Sequence, residues 1–237
     1  MDTEKIKNQK SKIKNTNQNV KRFKNRRILI TAGPTWVPID EVRVISNIAS
    51  GETGILLAEK LLKYGAGVTL VLGPVESCSI SGSTTPRIDK KIKLVRFKFF
   101  NQLRSRLKKE LLSKNYDCII HCAAVSDFRP LSPDRGKLAS NKAHNLKLTV
   151  LPKIVNEIRK LRPAAELVMF KLEAGISDIE LIRRAREALL KAQADLIVAN
   201  RITPSYKAFI LNKNETLDCV HSKKELADKL ADLIYIE

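Results

Sequence analysis

Residues 27–74 read RILITAGPTWVPIDEVRVISNIASGETGILLAEKLLKYGAGVTLVLGP. An apolar run, Ile28–Ile30, stops at Gly33-Pro34, and about twenty residues pass before the next periodic segment. Most strand-to-helix loops are far shorter. From Gly54 to Tyr64, Ile55, Leu57, Ala58, Leu61 and Leu62 recur at helical spacing. Gly65 follows where a helix end favours glycine. GVTLVLGP then predicts a second strand ending at Gly73-Pro74. Strand, helix, strand in this order predicts a parallel pair with a crossover helix.

The unit recurs downstream. IKLVRF (92–97) reads as a strand, Asn101–Ser113 as a basic amphipathic helix, and YDCIIHCAAV (116–125) as a buried strand by its unbroken apolar run. CSISGSTTPRID (78–89) reads as a loop. The second half is less regular. Ser126–Asn145 is polar, with Pro130, Pro133 and Gly136, and LKLTV (146–150) alternates like a strand. Pro152–Leu161 predicts a helix with proline in its first turn. ELVMFKLE (166–173) and DLIVAN (195–200) read as strands around a helix, Ser177–Ala194, whose Ser177 and Glu180 form a capping box. KAFILN and TLDCVH predict a hairpin, and Ser222–Ile234 a terminal helix capped by Ser222. The expected class is α/β: a Rossmann-like, mostly parallel sheet flanked by helices, with a flap and a C-terminal hairpin region.

The 237 residues, 43% of them hydrophobic, suffice for one large α/β domain. No apolar stretch reaches membrane-spanning length, and the N-terminus lacks a signal-peptide core, so the expected location is cytoplasmic. Cys118 and Cys122 lie in a strand-like run with a poor metal spacing, and with Cys78 and Cys219 they read as reduced thiols. No metal ligand is predicted. The net charge of +19 is uneven, because residues 1–27 carry ten Lys/Arg against Asp2 and Glu4. Residues 1–25 read as a disordered basic tail suited to weak polyanion contact, and 26–237 as a single domain. The positive excess of the remainder suits an anionic substrate.

Parallel sheets bind ligands beyond the carboxyl ends of their strands, which singles out the loops starting at Thr31 and Ala123. The first is no Walker A motif, and Gly51-x-x-Gly54 is only half a dinucleotide fingerprint. It does run into a helix start, which favours an anion. Asn47 adds an amide and Arg43 a fork suited to carboxylate or phosphate. In the second loop, HCAAVSDFRP, small Ala123 and Ala124 allow close approach of a ligand, and Asp127 suits a ribose hydroxyl or base amine. Lys137 and Lys142 lie on the following polar segment, where a mobile lysine can be brought to a phosphate.

ITAGPT, PID-x-VR-x-ISN, SG-x-x-G, AAV-x-D-x-RP, a flap lysine, a strand phenylalanine and D-x-IVAN occur in this order. Together they resemble phosphopantothenate–cysteine ligase over about residues 26–237, in a stand-alone form without the decarboxylase domain. The resemblance implies ligation of 4′-phosphopantothenate to L-cysteine through an acyl-nucleotidylate, with CTP or ATP as co-substrate, Mg²⁺ and a homodimer. By the same resemblance, Asn47 engages the acyl intermediate and Lys137 faces the triphosphate. His121, Cys122, Ala123, Asp127, Lys137, Pro152, Lys153, Ile154, Val155 and Phe170 line the nucleotide, and Arg43, Asn47 and Ala124 hold phosphopantothenate. The bacterial pattern has lysine at Glu52 and on the helix at Ala188 and Ala192, where Arg184, Arg186 or Lys191 are the substitutes at hand. The shared flap and Asp127 favour CTP, whereas FKLEA (170–174) is closer to eukaryotic, ATP-tolerant forms. Two other readings stand beside this one: an NAD(P)-dependent oxidoreductase, disfavoured by the missing glycine fingerprint, and a nucleic-acid binder acting through the tail.

Overall fold

A computed structural model of the chain describes residues 22–75, 88–132, 136–202 and 205–234. Cys78, Pro133, most of the 78–89 loop and residues 1–21 of the expected tail lie outside the described residues.

One eight-stranded sheet organises the molecule. Its centre is β1 (Arg27–Ala32), flanked by β4 (Gly67–Leu72) and β6 (Cys118–His121), both parallel to it. Outside β4 lies β5 (Lys93–Arg96), and outside β6 lie β9 (Glu166–Leu172) and β10 (Leu196–Arg201), all parallel to their neighbours. The expected hairpin, β11 (Lys207–Leu211) and β12 (Thr216–Val220), closes that side in antiparallel pairing. The chain builds outward from β1 to β5, returns to β6, and builds the other way. The reversal falls between β1 and β6, the crevice where doubly wound sheets receive ligands.

Alternation along each strand divides the core in two. Ile28, Ile30, Val68, Leu70, Ile120 and Val198 face the helices α1 (Glu52–Lys63) and α5 (Lys223–Leu233). Leu29, Val71, Ile119, Leu167 and Ile197 face α2 (Phe100–Ser113), α3 (Ile154–Leu161) and α4 (Asp178–Ala192). Both serines cap their helices, Ser177 Oγ accepting from Glu180 N at 3.3 Å and Ser222 Oγ from Glu225 N at 3.1 Å. The expected box at Ser177 is only half formed, because the Glu180 carboxylate takes Arg183 and Arg184 instead. Gly65, at φ +91°, turns the chain out of α1.

Three expectations need correction. The long loop after β1 contains an antiparallel ribbon, β2 (Trp36–Pro38) with β3 (Val44–Ser46), and the polar second-half segment contributes β7 (Phe128–Pro130) to a pair with β8 (Leu148–Val150). The strand expected over 116–125 ends at His121, because Ala124 leaves the sheet to bridge Pro34. The ordered chain also extends beyond the expected boundary at residue 26. Phe23 is 2% exposed, packs on Tyr64, and donates its N–H to the Tyr64 carbonyl at 2.9 Å.

Gly54 sets how closely α1 can approach β1. A Cβ there would stand 2.4 Å from Ala32 Cβ, inside van der Waals contact with a side chain that has no freedom to move. Gly54→Ala is expected to lower the unfolding free energy by about 1–3 kcal/mol, the usual cost of overpacking, as measured by urea denaturation.

Candidate functional site

At the carboxyl ends of β1 and β6, the switch point of the sheet, the loops that leave the two strands are bonded to each other. The Ala124 carbonyl accepts from Thr35 N at 3.2 Å and from Asn47 Nδ2 at 3.0 Å, while Ala124 N donates to the Gly33 carbonyl at 3.0 Å. Two residues further on, Ser126 N donates to Thr35 Oγ1 at 2.9 Å, and the two hydroxyls lie 3.0 Å apart, both buried. A residue 77 positions away in sequence thereby receives the Asn47 side chain, although Asn47 itself is exposed.

Thr31, the second-last residue of β1, supports the same wall from below. Its Oγ1 accepts from Ala123 N at 3.2 Å and lies 2.9 Å from His121 Nδ1. Burial pushes the His121 pKa down to about 4, so the ring is neutral at physiological pH. Burial also pushes the Cys122 thiol up to about 12, which removes it as a thiolate nucleophile. Cys118 is buried and its thiol is raised for the same reason.

Asp127 and Lys153, each singled out separately, pair with one another at 2.5 Å. Both are more than half exposed, so the pair contributes at most about 1 kcal/mol and can open for a ligand. Pro152 and Lys153 are exposed at the start of α3, while Ile154 is buried and Val155 is half-buried against the same core that Ala123 and Val125 pack on. Phe170, on β9, is half-buried against the α1 face.

A polar clamp closes the far side. Asp40, in the turn between β2 and β3, is 4% exposed. Its Oδ1 accepts from Val42 N at 2.8 Å and Arg43 N at 2.6 Å, an Asx-type turn. Its Oδ2 accepts from Leu138 N at 3.0 Å and Arg43 Nη1 at 3.0 Å. Arg43 Nη2 donates to the Leu138 carbonyl at 3.2 Å, and Glu41 N to the Gly136 carbonyl at 3.2 Å. The Leu138 N–H leads the contacts that hold the Asp40 carboxyl below the usual carboxylate range, against the opposing effect of burial. Lys137, between the two clamped residues, is exposed and makes no hydrogen bond or ion pair with the described residues.

Sequence reasoning missed Thr31, Thr35, Ser126 and Asp40. Their signal was present in ITAGPT, PID-x-VR and AAV-x-D-x-RP, but each has a partner in the other half of the chain. The helix cations are placed as follows. Arg184 pairs with Glu180 at 2.6 Å and Glu173 at 3.5 Å, and Glu173 also meets Lys171 at 3.0 Å. Ala188 is half-buried, Ala192 is 5% exposed, and Lys191 is exposed. Two open surface clefts of about 530 and 520 Å³ lie elsewhere, between α2 and α3 and beside the end of α1. Neither contains a residue discussed above as binding or catalytic. Among the described residues no group of three or more His, Cys, Asp or Glu is placed to hold a metal ion, and no helix is long and apolar enough to cross a membrane.

Residues 23–235 match the family described as the DNA/pantothenate metabolism flavoprotein C-terminal domain. The chain is 34% identical over 223 residues to the coenzyme A biosynthesis bifunctional protein CoaBC of Thermococcus kodakarensis, covering 90% of this chain and 52% of that protein. It is 34% identical over 231 residues to the CoaBC of Methanocaldococcus jannaschii, covering 95% and 54%. The chain thus spans about half the length of these curated relatives. Among solved structures it resembles the DNA/pantothenate metabolism flavoprotein from Streptococcus pneumoniae, with 26% identity, TM-score 0.75, and coverage of 88% of this chain and 97% of that one. It also resembles the C-terminal domain of a CoaBC, with 25% identity, TM-score 0.69, and coverage of 90% and 95%. A Cab2 mutant solved with phosphopantothenate-cysteine shares the fold at 21% identity and TM-score 0.70, covering 94% and 93%.

The buried neutral His121 makes stability depend on pH. Its folded pKa of about 4 lies below the unfolded value of 6.5, so the unfolded chain takes up the proton first and stability falls as pH drops through that window. From pH 7 to pH 5 this group alone is expected to remove roughly 2 kcal/mol of unfolding free energy. Urea titrations of wild type and His121→Asn at the two pH values should show that portion of the loss missing in the variant.

Proposed function

The chain belongs to the DNA/pantothenate metabolism flavoprotein C-terminal domain family, and on that premise we propose that it is a phosphopantothenate–cysteine ligase of coenzyme A biosynthesis. The carboxylate of 4′-phosphopantothenate attacks the α-phosphate of CTP or ATP, pyrophosphate leaves, and an acyl-nucleotidylate forms. The amine of L-cysteine then attacks the mixed anhydride, giving 4′-phosphopantothenoylcysteine and the nucleoside monophosphate. A free carboxylate is a poor electrophile because its leaving group would be oxide; the nucleotidyl group supplies a good one.

The observation that carries this reading is the Asn47–Ala124 hydrogen bond, with the clamp fastening Gly136 and Leu138 to the β2–β3 turn. It brings an amide and a free flap lysine to the loops around one switch-point crevice, the loops proposed to receive acyl group and triphosphate. Both half-reactions gather negative charge on phosphate and carboxylate oxygens, and preorganised donors act most strongly on such charge. In this reading Lys137 faces the triphosphate, and Asn47 engages the acyl intermediate during capture by cysteine. The loop from His121 to Asp127, the start of α3 and Phe170 line the nucleotide. Arg43 and Ala124 flank phosphopantothenate.

The described residues form no metal cage, so Mg²⁺ is assigned to the triphosphate, where it keeps most of its ligands from phosphate and water. Exposed Phe128, Leu148 and Val150 on the β7–β8 ribbon support a homodimer formed through that ribbon, since an isolated two-stranded ribbon is marginal in water. The reaction is assigned to the cytoplasm.

Lys137→Ala is expected to slow pyrophosphate release by about 10²–10³-fold. Asn47→Asp should release pyrophosphate yet accumulate acyl-nucleotide when cysteine is added. A coupled pyrophosphate assay, omitting phosphopantothenate and cysteine in turn and comparing CTP with ATP, reads all of this. Normal turnover in both variants would contradict the assigned roles.

A further inference from the structure

The clamp at Asp40 has a role beyond folding the β2–β3 turn. Two of its acceptor contacts, from Val42 N and Arg43 N, are local and make the turn. The other two reach outward. Oδ2 takes the Leu138 N–H, 98 positions along the chain, and the Arg43 guanidinium, whose second nitrogen grips the Leu138 carbonyl. With Glu41 N on the Gly136 carbonyl, the backbone is fixed immediately before and immediately after Lys137. The segment itself carries no sheet or helix hydrogen bonding over 136–146 to do that work; the β7–β8 ladder resumes only at Lys147, whose carbonyl accepts from Leu131 N at 2.8 Å.

We propose that Asp40 is a positioning residue for Lys137: its buried carboxylate latches the flap backbone on the β2–β3 turn and so fixes where the lysine ammonium stands when the anionic substrates are bound. This rests on the ligase reading above. Asp40 touches no substrate; it acts through Leu138 and Arg43. A carboxylate is the right group, because all four neighbours are donors and an ionised carboxylate is acceptor only. Asparagine has nearly the same shape but presents one oxygen and one NH₂. If the oxygen keeps the turn, the NH₂ faces the Leu138 N–H and the Arg43 guanidinium, donor against donor. Asp40→Asn therefore releases the flap while leaving the turn its local acceptor.

The test compares wild type, Asp40→Asn, Lys137→Ala and the double variant. The first half-reaction is followed as pyrophosphate release from nucleotide and 4′-phosphopantothenate without cysteine. Thermal midpoint and trypsin cleavage after Lys137 and Lys142 are followed without ligand. Asp40→Asn is expected to slow the first half-reaction by about 10²-fold, the usual cost of misplacing a catalytic group by about 1 Å. It should raise cleavage after Lys137 and leave the KM for cysteine unchanged. Placed on Lys137→Ala, the same substitution should cost about twofold or less, because two residues acting through one interaction are not additive. A wild-type first half-reaction in Asp40→Asn, or a full and additive loss in the Lys137→Ala background, overturns the proposal. Should Asp40→Asn fail to fold, Leu138→Pro decides. It removes the N–H that the carboxylate receives, on an irregular segment, and should give the same slowing and raised cleavage after Lys142, the bond after Lys137 itself being closed to trypsin by the new proline; wild-type rate and wild-type cleavage after Lys142 in it overturn the proposal. Absence of pyrophosphate release in wild type would contradict the ligase reading instead, and the cleavage comparison would still report on the latch.

Discussion

A single backbone oxygen, that of Ala124, joins the loop after β1 to the loop after β6. It takes the N–H of Thr35 and the amide of Asn47, both from the loop after β1, while Ala124 itself belongs to the loop after β6. Each loop alone would have backbone groups with no sheet partner, and a buried N–H without a partner costs on the order of 1–3 kcal/mol. Joined, they satisfy each other, and Thr35 and Ser126 seal the junction with buried hydroxyls. The rest of the site is hung on this seam: Thr31 and His121 brace it beneath, and the Asp40–Arg43 clamp carries the flap to its outer edge.

The seam has its position because of the sheet. Strand order reverses between β1 and β6, so the chain leaving each strand has no neighbouring crossover above it and the two loops face one another. Gly54 permits α1 to lie against Ala32, which brings the α1 N-terminus and the Asn47 segment to the same end of β1. Gly51, at φ +71° where a side chain would be strained, caps that helix without a side-chain bond. The first-turn N–H groups beyond it favour an anion at that end of β1, against the negative charge of Glu52 in the same turn.

What could be read from residues alone divides along physical lines. Helices were legible because their apolar spacing and their caps, Ser177, Ser222 and Gly65, are local signals. Central strands were legible as apolar runs. The β2–β3 and β7–β8 ribbons were not, because three-residue strands carry too few alternations to read. Phe23 was missed because one aromatic in a lysine-rich segment does not alter its average, although it fills a core position. Among the candidate site residues, Asn47, Asp127 and Lys137 stood out as chemistry-bearing types on loops that follow sheet strands. Asp40 did not, since a polar residue beside a turn looks like a turn former until its partner at Leu138 is known.

The most direct measurement is a crystal structure of the full chain with the acyl-nucleotide accumulated by withholding cysteine. The account predicts density in the crevice between β1 and β6, with the acyl group beside Asn47 and Ala124 and phosphate oxygens within reach of Lys137. Density seated away from that crevice, in the α2–α3 cleft or beside the end of α1, would contradict it.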